Sequence, residues 1–421
     1  MADTETRRTV AVVGAGIIGV CTASLLLRRG LDVVLIERQD PGEGASFGNA
    51  GCFNGSSVVP MSMPGMLRKV PRWLTDPLGP LAIRAGYLPR LAPWLVRFLR
   101  AGTRSNVARQ ARALRTLLHR GIETLAPLVA EAGAQHLVAR VGHLYVYRSL
   151  SSFAADAPAW QLRRDNGVAW DEFDADGLRQ LDPKLSHDYH KGVLVRENGH
   201  TTDPHGLVLS LARAFARDGG RIVRRCAVGF ELSAGRLVGV RCADGLQPAT
   251  TAVIAAGIWS RPLAAGLGDR IPLESERGYH VMLRGAQVAP RIPTADADGK
   301  FVVTPMREGL RVAGTVELAG VGAAPNWERA RVLLRQAQAM YPALAGHAPE
   351  QVTSWMGHRP STPDSLPVIG RSQGARDVVY AFGHGHIGMS CAANTGKAVA
   401  ELICDEQPSI DLVPFDPRRF S

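Results

Sequence analysis

The chain has 421 residues, 46% of them hydrophobic and 6% aromatic, with a formal charge of +11 and a mean hydropathy close to zero. It is too long for one ordinary core of about 100–200 residues, so two domains are expected, and no run approaches the about 18–20 apolar residues of a membrane span. The charge is spread without a basic block or a nucleic-acid module, which excludes nucleic acid as a partner and leaves anionic substrates or an anionic lipid surface.

The N-terminus, MADTETRR, is polar and leads directly into an apolar run. No export signal is expected there, and the location expected is cytoplasmic. Cys21, Cys52, Cys226, Cys242, Cys391 and Cys404 lie scattered without CxxC spacing, which points to reduced thiols and to no metal site.

Val10–Val13 reads as a buried parallel strand, Gly14, Gly16 and Gly19 form GxGxxG, and Ile17–Arg29 carries apolar residues at helical spacing. Val33–Ile36 is a second apolar strand ending at Glu37. Gly14 permits the sharp turn. Gly16 lets a pyrophosphate reach N–H groups at the helix start, where Ile17 and Ile18 stand, and Gly19 lets the helix pack closely on the sheet. Glu37 is placed to accept ribose hydroxyls, which disfavours a 2′-phosphate. GxGxxG alone also describes a glycine-rich turn; the offsets of strand, helix, second strand and acid make it a dinucleotide site.

Gly42–Gly55, GEGASFGNAGCFNG, is rich in small residues and can lay its backbone against a planar ligand; the alternative is a flexible surface loop. Seven prolines break Pro60–Gly102 into short pieces of a wrapped cap. Within it, Trp94–Leu99 with Arg90, Arg97 and Arg100 is amphipathic and basic, suited either to packing on its own domain or to a peripheral membrane contact. Asn106–Ala132 and Phe153–Arg164 read as helices, with the strand-like Gly142–Arg148 between them.

Thr202–Gly220 is a helix capped by Asp203, opened by Pro204 and ended by Gly219–Gly220. Strand-like segments follow up to Thr251–Ser260, so the nucleotide domain resumes after an insertion. Pro272–Leu283 and Phe301–Gly314 alternate as strands, Trp327–Met340 reads as a helix, and Trp355–Gly370 with Ala381–Leu402 closes the fold. The expected division assigns 1–65, 200–266 and 354–421 to a discontinuous dinucleotide domain, and 66–199 and 267–353 to a cap.

VAVVGAGIIG, Glu37–Arg38, SFGNAG at 46–51, VIAAGIWS at 253–260, RPSTPDSLPVIG at 359–370 and GHGHIGM at 383–389 together resemble the D-amino-acid oxidase and glycine oxidase superfamily. Within it the chain is most similar to bacterial D-amino-acid dehydrogenases, including the D-hydroxyproline dehydrogenase type. The resemblance implies an α/β fold: a Rossmann-like, glutathione-reductase-like FAD-binding domain with an inserted α+β substrate domain on an antiparallel sheet. It places Gly14, Gly16, Ile17, Ile18, Gly19, Glu37 and Arg38 at the ADP half of FAD. Ser46, Asn49, Ala50 and Gly51 would lie along the pyrophosphate and flavin. Val228, Gly257 and Trp259 would flank the adenosine, and Gly385, His386, Ile387, Gly388 and Met389 the pyrimidine edge.

For the substrate, the resemblance puts Arg359 on the carboxylate, with Tyr279 as a second partner and His386 as a possible substrate contact. Arg359 could instead form a domain-bridging salt bridge, Tyr279 could be a packed core residue, and His280, His358, His384 and His386 could be ordinary hydrogen-bonded histidines. Related sarcosine oxidases tether FAD through a cysteine where this chain has Gly357, so FAD is expected to be non-covalent. The implied activity is oxidation of a D- or cyclic secondary amino acid, such as D-proline or hydroxy-D-proline, at Cα by hydride transfer to flavin N5, with electrons passed to a quinone-type acceptor. Two alternatives stay open: a glycine- or sarcosine-type oxidase using oxygen, and the flavin subunit of a heteromeric dye-linked dehydrogenase.

Overall fold

Six strands drawn from separated stretches of the chain make one sheet, in the order Arg221–Arg224, Asp32–Glu37, Thr9–Val13, Thr251–Ile254, Val378–Phe382, Val368–Arg371. All neighbours are parallel except the last pair. The structure is a computed structural model that describes residues 8–66, 70–286, 288 and 290–421; the leading segment 1–7 and residues 67–69 of the proline-rich stretch lie outside them. The central strands are apolar throughout because both faces are covered. Val10 and Val12 face a layer holding the helices Ile17–Leu27, Pro204–Arg217 and Gly388–Ile403. Ala11 and Val13 face the antiparallel strands Ala227–Ser233, Arg236–Cys242 and Gly245–Pro248. Gly396 brings the last helix against the first: a Cβ there would sit 3.0 Å from the Thr22 nitrogen.

The second sheet runs Val352–Ser361, Glu274–Arg284, Gly309–Leu318, Phe301–Met306, Thr294–Asp296, His143–Tyr147, Lys191–Val195, Asp171–Asp174, with Leu81–Ile83 beside Gly309–Leu318. One face buries Val281, Val303 and Val312 under the helix Glu328–Met340; the other looks toward the first sheet. Val352–Ser361 is an edge strand of this second sheet, so the sequence boundary at 354 falls inside it.

Three sequence-level elements resolve differently. The helix expected over Asn106–Ala132 is two helices, Arg104–Leu118 and Gly121–Glu131, broken where Arg120 takes φ 53°. The break lets Gly121 approach the Ser390 carbonyl oxygen so closely that a Cβ would lie 2.0 Å from it. Phe153–Arg164 is likewise split at Asp156 into Leu150–Ala155 and Ala157–Asp165. Pro158 follows the break, at a helix start where its missing N–H costs nothing. In the proline-rich stretch, Leu88–Ala101 is a helix whose Leu91, Trp94, Leu95 and Phe98 are buried in the chain's own core, while Arg90, Arg97 and Arg100 face outward. Among the described residues no helix is long and apolar enough to cross a membrane.

Candidate active site

A cavity of about 1270 Å³ lies between the two sheets. That exceeds the roughly 300–1,000 Å³ of a pocket for one drug-sized ligand, and leaves room for a dinucleotide together with a small substrate.

One end is the turn after Thr9–Val13. Gly14 has φ 105°, and a Cβ on it would come within 2.5 Å of the Ala255 carbonyl oxygen. A Cβ on Gly19 would lie 1.8 Å from the Gly14 oxygen, so Gly19 acts by close packing and does not itself line the cavity. Gly16, Ile17 and Ile18 do line it, at the helix start where backbone donors lack intrahelical partners. The Ile17 N–H is met by Ser46 Oγ at 3.1 Å. The Glu37 carboxylate accepts from the backbone N–H groups of Ala15 (2.7 Å), Arg38 (2.8 Å) and Gln39 (3.2 Å), which holds it at the cavity wall. The Arg38 guanidinium lies 3.8 Å above the Trp259 ring. Val228 and Gly257 complete this end, where a planar base fits. Glycine turn, oriented acid, stacked slot and volume together fit the ADP half of a dinucleotide.

In the small-residue loop, Asn49 donates to the Ser46 carbonyl (3.0 Å) and accepts from Gly51 N–H (2.7 Å), so its amide shapes the loop. Asn49 and Ala50 line the cavity. Gly51, outside the lining, has φ 73° and abuts the Thr201 carbonyl oxygen, 2.7 Å from where a Cβ would stand.

The opposite wall couples Arg359 to the GHGHIGM loop. Gly385 N–H donates to the Pro360 carbonyl at 2.8 Å, and Ser361 bridges to His384. Gly385, His386, Gly388 and Met389 line the cavity; Ile387 turns into the core behind it. The helix Gly388–Ile403 starts here and points its N-terminal donors at the cavity. His384 is buried against Thr395 Oγ1 at 3.1 Å. His386 projects into the cavity, and the surrounding protein, with Arg359 nearby, pulls it down to about 4.

Arg359 reaches from Val352–Ser361 across Gly278, where a Cβ would lie 2.4 Å from its guanidinium. Its Nη1 donates to the Thr315 carbonyl at 3.0 Å. Glu276 stands directly across the strand pair. Burial lowers the Arg359 pKa from its ordinary range, opposed by Glu276; burial raises that of Glu276, opposed by Arg359 and Ser361. These partners all belong to the second sheet, so Arg359 is not a bridge between domains, and it lines the cavity.

Tyr279 lines the same wall, but its hydroxyl donates to Glu317 (2.6 Å) and accepts from Asn326 N–H (2.9 Å). Glu317 in turn pairs with Arg277 and Arg84. The phenol is thus held by the protein, and its ring packs in the core beneath the helix Glu328–Met340, edge-on to Trp327, as the packed-core alternative expected. His280 Nδ1–H donates to the Gly48 carbonyl (2.8 Å) and the ring stacks on Trp355 at 5.2 Å; His358 pairs with Ser275 Oγ at 2.8 Å.

Sequence reasoning missed three residues here. Trp355 fits only because Gly48 and Gly357 flank it: a Cβ would meet its ring at 2.3 Å and 1.9 Å respectively. Those two glycines were the only available signal. Thr315, at φ 58°, is a β-branched residue in left-handed backbone with a buried, unpaired hydroxyl at the cavity. Neither it nor Glu276 carries any local motif. No grouping of potential metal ligands occurs among the described residues.

The FAD dependent oxidoreductase family, DAO, matches residues 9–402. The chain is 45% identical over 417 residues to a D-amino-acid oxidase of Bradyrhizobium diazoefficiens, covering 98% of this chain and 99% of that one. It is 30% identical to D-amino acid dehydrogenase 2 of Ralstonia nicotianae, covering 96% and 99%. Among solved structures, glycine oxidase from Geobacillus kaustophilus superposes with a TM-score of 0.75 at 21% identity, over 97% of this chain and 98% of that one. With the family model matching residues 9–402 and these relatives aligned over nearly the whole length, the chain belongs to the DAO family of FAD-dependent oxidoreductases.

Proposed function

We propose that the chain oxidises a D-amino acid, or a cyclic secondary D-amino acid, at Cα. The observation that carries this reading is Arg359, a guanidinium in the cavity wall over Gly278, with one nitrogen tied to the Thr315 carbonyl and no carboxylate paired to it by a salt bridge among the described residues. A carboxylate is its natural partner, and fixing that group fixes Cα. FAD, when bound, supplies the two-electron acceptor.

The remaining work falls to the chain. The substrate amine must be uncharged, and a neutral His386 beside Arg359 provides a hydrogen-bonding partner that does not repel it. Trp355, in the cavity wall, helps to exclude water from the reacting carbon. Loss of hydride from Cα and of a proton from nitrogen gives an imine; water then adds and ammonia leaves, yielding a 2-oxo acid, whereas a cyclic imine persists or ring-opens. Relatives bearing D-amino-acid names at 45% and 30% identity support the D configuration. A screen of D- and L-amino acids, hydroxyprolines included, against an artificial electron dye tests this. Turnover of L-amino acids alone sinks it.

For the acceptor, a quinone-type carrier is our reading, in keeping with relatives named dehydrogenases. The relative named an oxidase favours a second reading, direct use of oxygen. Stopped-flow mixing of reduced enzyme with oxygen decides: rapid reoxidation means oxidase. The FAD is taken as non-covalent, since position 357 carries no thiol and has no space for a side chain beside Trp355.

A further inference from the structure

The cavity continues along the second sheet to a far end that the proposed chemistry leaves unused, walled by His143, Tyr145, Asp156, Arg163 and Lys300. His143 is 2% exposed, and neither of its ring nitrogens has a hydrogen-bond partner. Arg163 enters from the helix Ala157–Asp165 with its guanidinium 4.4 Å from the Trp160 ring centroid and 5.5 Å from that of Tyr145. Its Nε and Nη1 are also buried and unpaired. The acidic neighbours are engaged elsewhere: Asp156 accepts from the Tyr147 hydroxyl (2.9 Å), Asp296 from the Tyr189 hydroxyl (2.6 Å), and Asp298 from Arg148 N–H and Ser152 Oγ (both 3.1 Å).

Buried polar groups in native proteins are almost always hydrogen-bonded, so unpaired donors gathered on a ligand cavity call for a ligand. A guanidinium packed beside aromatic rings keeps its charge and its in-plane donors for an acceptor. Burial, with His200 and Arg163 nearby, holds His143 near 3, hence neutral, with one N–H to offer. The register places Tyr145, Ala295, Val302, Ala313 and His280 in one row across the sheet face. Gly278, beneath Arg359, is four strands from Tyr145 and two residues off that row, ~20 Å between backbones, and both arginines line the cavity.

We propose that this end is a subsite for a second, distal carboxylate: Arg359 takes the α-carboxylate of a dicarboxylic amino acid, and Arg163 with His143 takes the acid at the end of its side chain. The proposal rests on the amino-acid reading above and narrows its substrate class.

The test compares D-2-aminoadipate with D-norleucine, which carries a methyl where the former carries the second acid. The wild-type holoenzyme should favour D-2-aminoadipate in kcat/KM about tenfold or more. Arg163→Gln and His143→Leu should each collapse that ratio about tenfold, and Arg163→Lys should retain part of it. A wild-type preference for D-norleucine, or a ratio indifferent to Arg163→Gln, overturns the subsite. Should neither compound reduce the enzyme, glutarate is titrated against the visible flavin spectrum of the holoenzyme. Binding weakened about tenfold by Arg163→Gln then upholds the subsite while the redox reading falls, and binding unaffected by the change removes the subsite as well.

Discussion

Replacing Arg359 by Met keeps much of the side-chain volume over Gly278 and removes the charge. Two effects follow from its surroundings. The substrate carboxylate loses a charge-assisted partner in an enclosed site, and Glu276, buried directly opposite, loses the cation that stabilises its ionised form. Breaking one side of a buried charge pair costs about 2–5 kcal/mol. Taking about 3 kcal/mol for the substrate contact, kcat/KM falls about 150-fold, at 1.36 kcal/mol per factor of ten. Arg359→Lys keeps a point charge but not the fork that also reaches the Thr315 carbonyl, and should lose about tenfold. Steady-state kinetics with a dye acceptor reads both, with FAD content measured on the same samples. The Glu276→Gln, Arg359→Met double variant should recover thermal stability over Arg359→Met alone, since the unpaired carboxylate is gone. A kcat/KM within threefold of wild type in Arg359→Met, at full FAD content, refutes the assignment.

Gly19→Ala forces a Cβ against a backbone oxygen 1.8 Å away and should cost about 2 kcal/mol or more, seen as a lower Tm and a preparation depleted in FAD; normal FAD content would show that the helix does not need this approach. Burial holds His143 and His384 near 3, well below the ordinary value. The unfolded chain therefore binds more protons than the native one below about pH 6.5, and stability falls with acidification through that window, by about 2 kcal/mol per fully buried histidine at pH 5. Urea midpoints at pH 7.5 and 5 measure this, and equal midpoints contradict it. Because His280, His384 and His386 are all pulled below 5, kcat/KM should lack a histidine inflection between pH 6 and 8. Acid precipitation should release the yellow chromophore into the supernatant, whereas colour retained in the pellet means a covalent link.

The dinucleotide end was legible in the linear chain because its information is local. A strand, three glycines, a helix and an acid occupy fixed offsets, and backbone sterics allow few residue types at each. The GHGHIGM turn was legible for the same reason, its glycines at 383 and 385 both taking positive φ. Helix breaks at Arg120 and Asp156 were not, since what decides them is contact with Ser390 and Tyr147, residues distant in sequence or on another element.

The substrate wall is the part that the linear order hid. Periodicity marked Glu274–Arg284 and Gly309–Leu318 as strands, but only their pairing put Glu276 opposite Arg359, the Thr315 carbonyl within reach of its guanidinium, and the Tyr279 hydroxyl on Glu317. A side chain's partners across a sheet depend on register and bulges, and here the pairing register shifts between Arg277 and Tyr279. The sequence by itself determined that the chain is an FAD-dependent oxidoreductase and which backbone turns wall its cavity, because those turns are dictated by nearest neighbours. Tertiary structure alone decided which charges and rings meet at the Arg359 wall of the cavity, because their spacing is set by strands that the chain order keeps far apart.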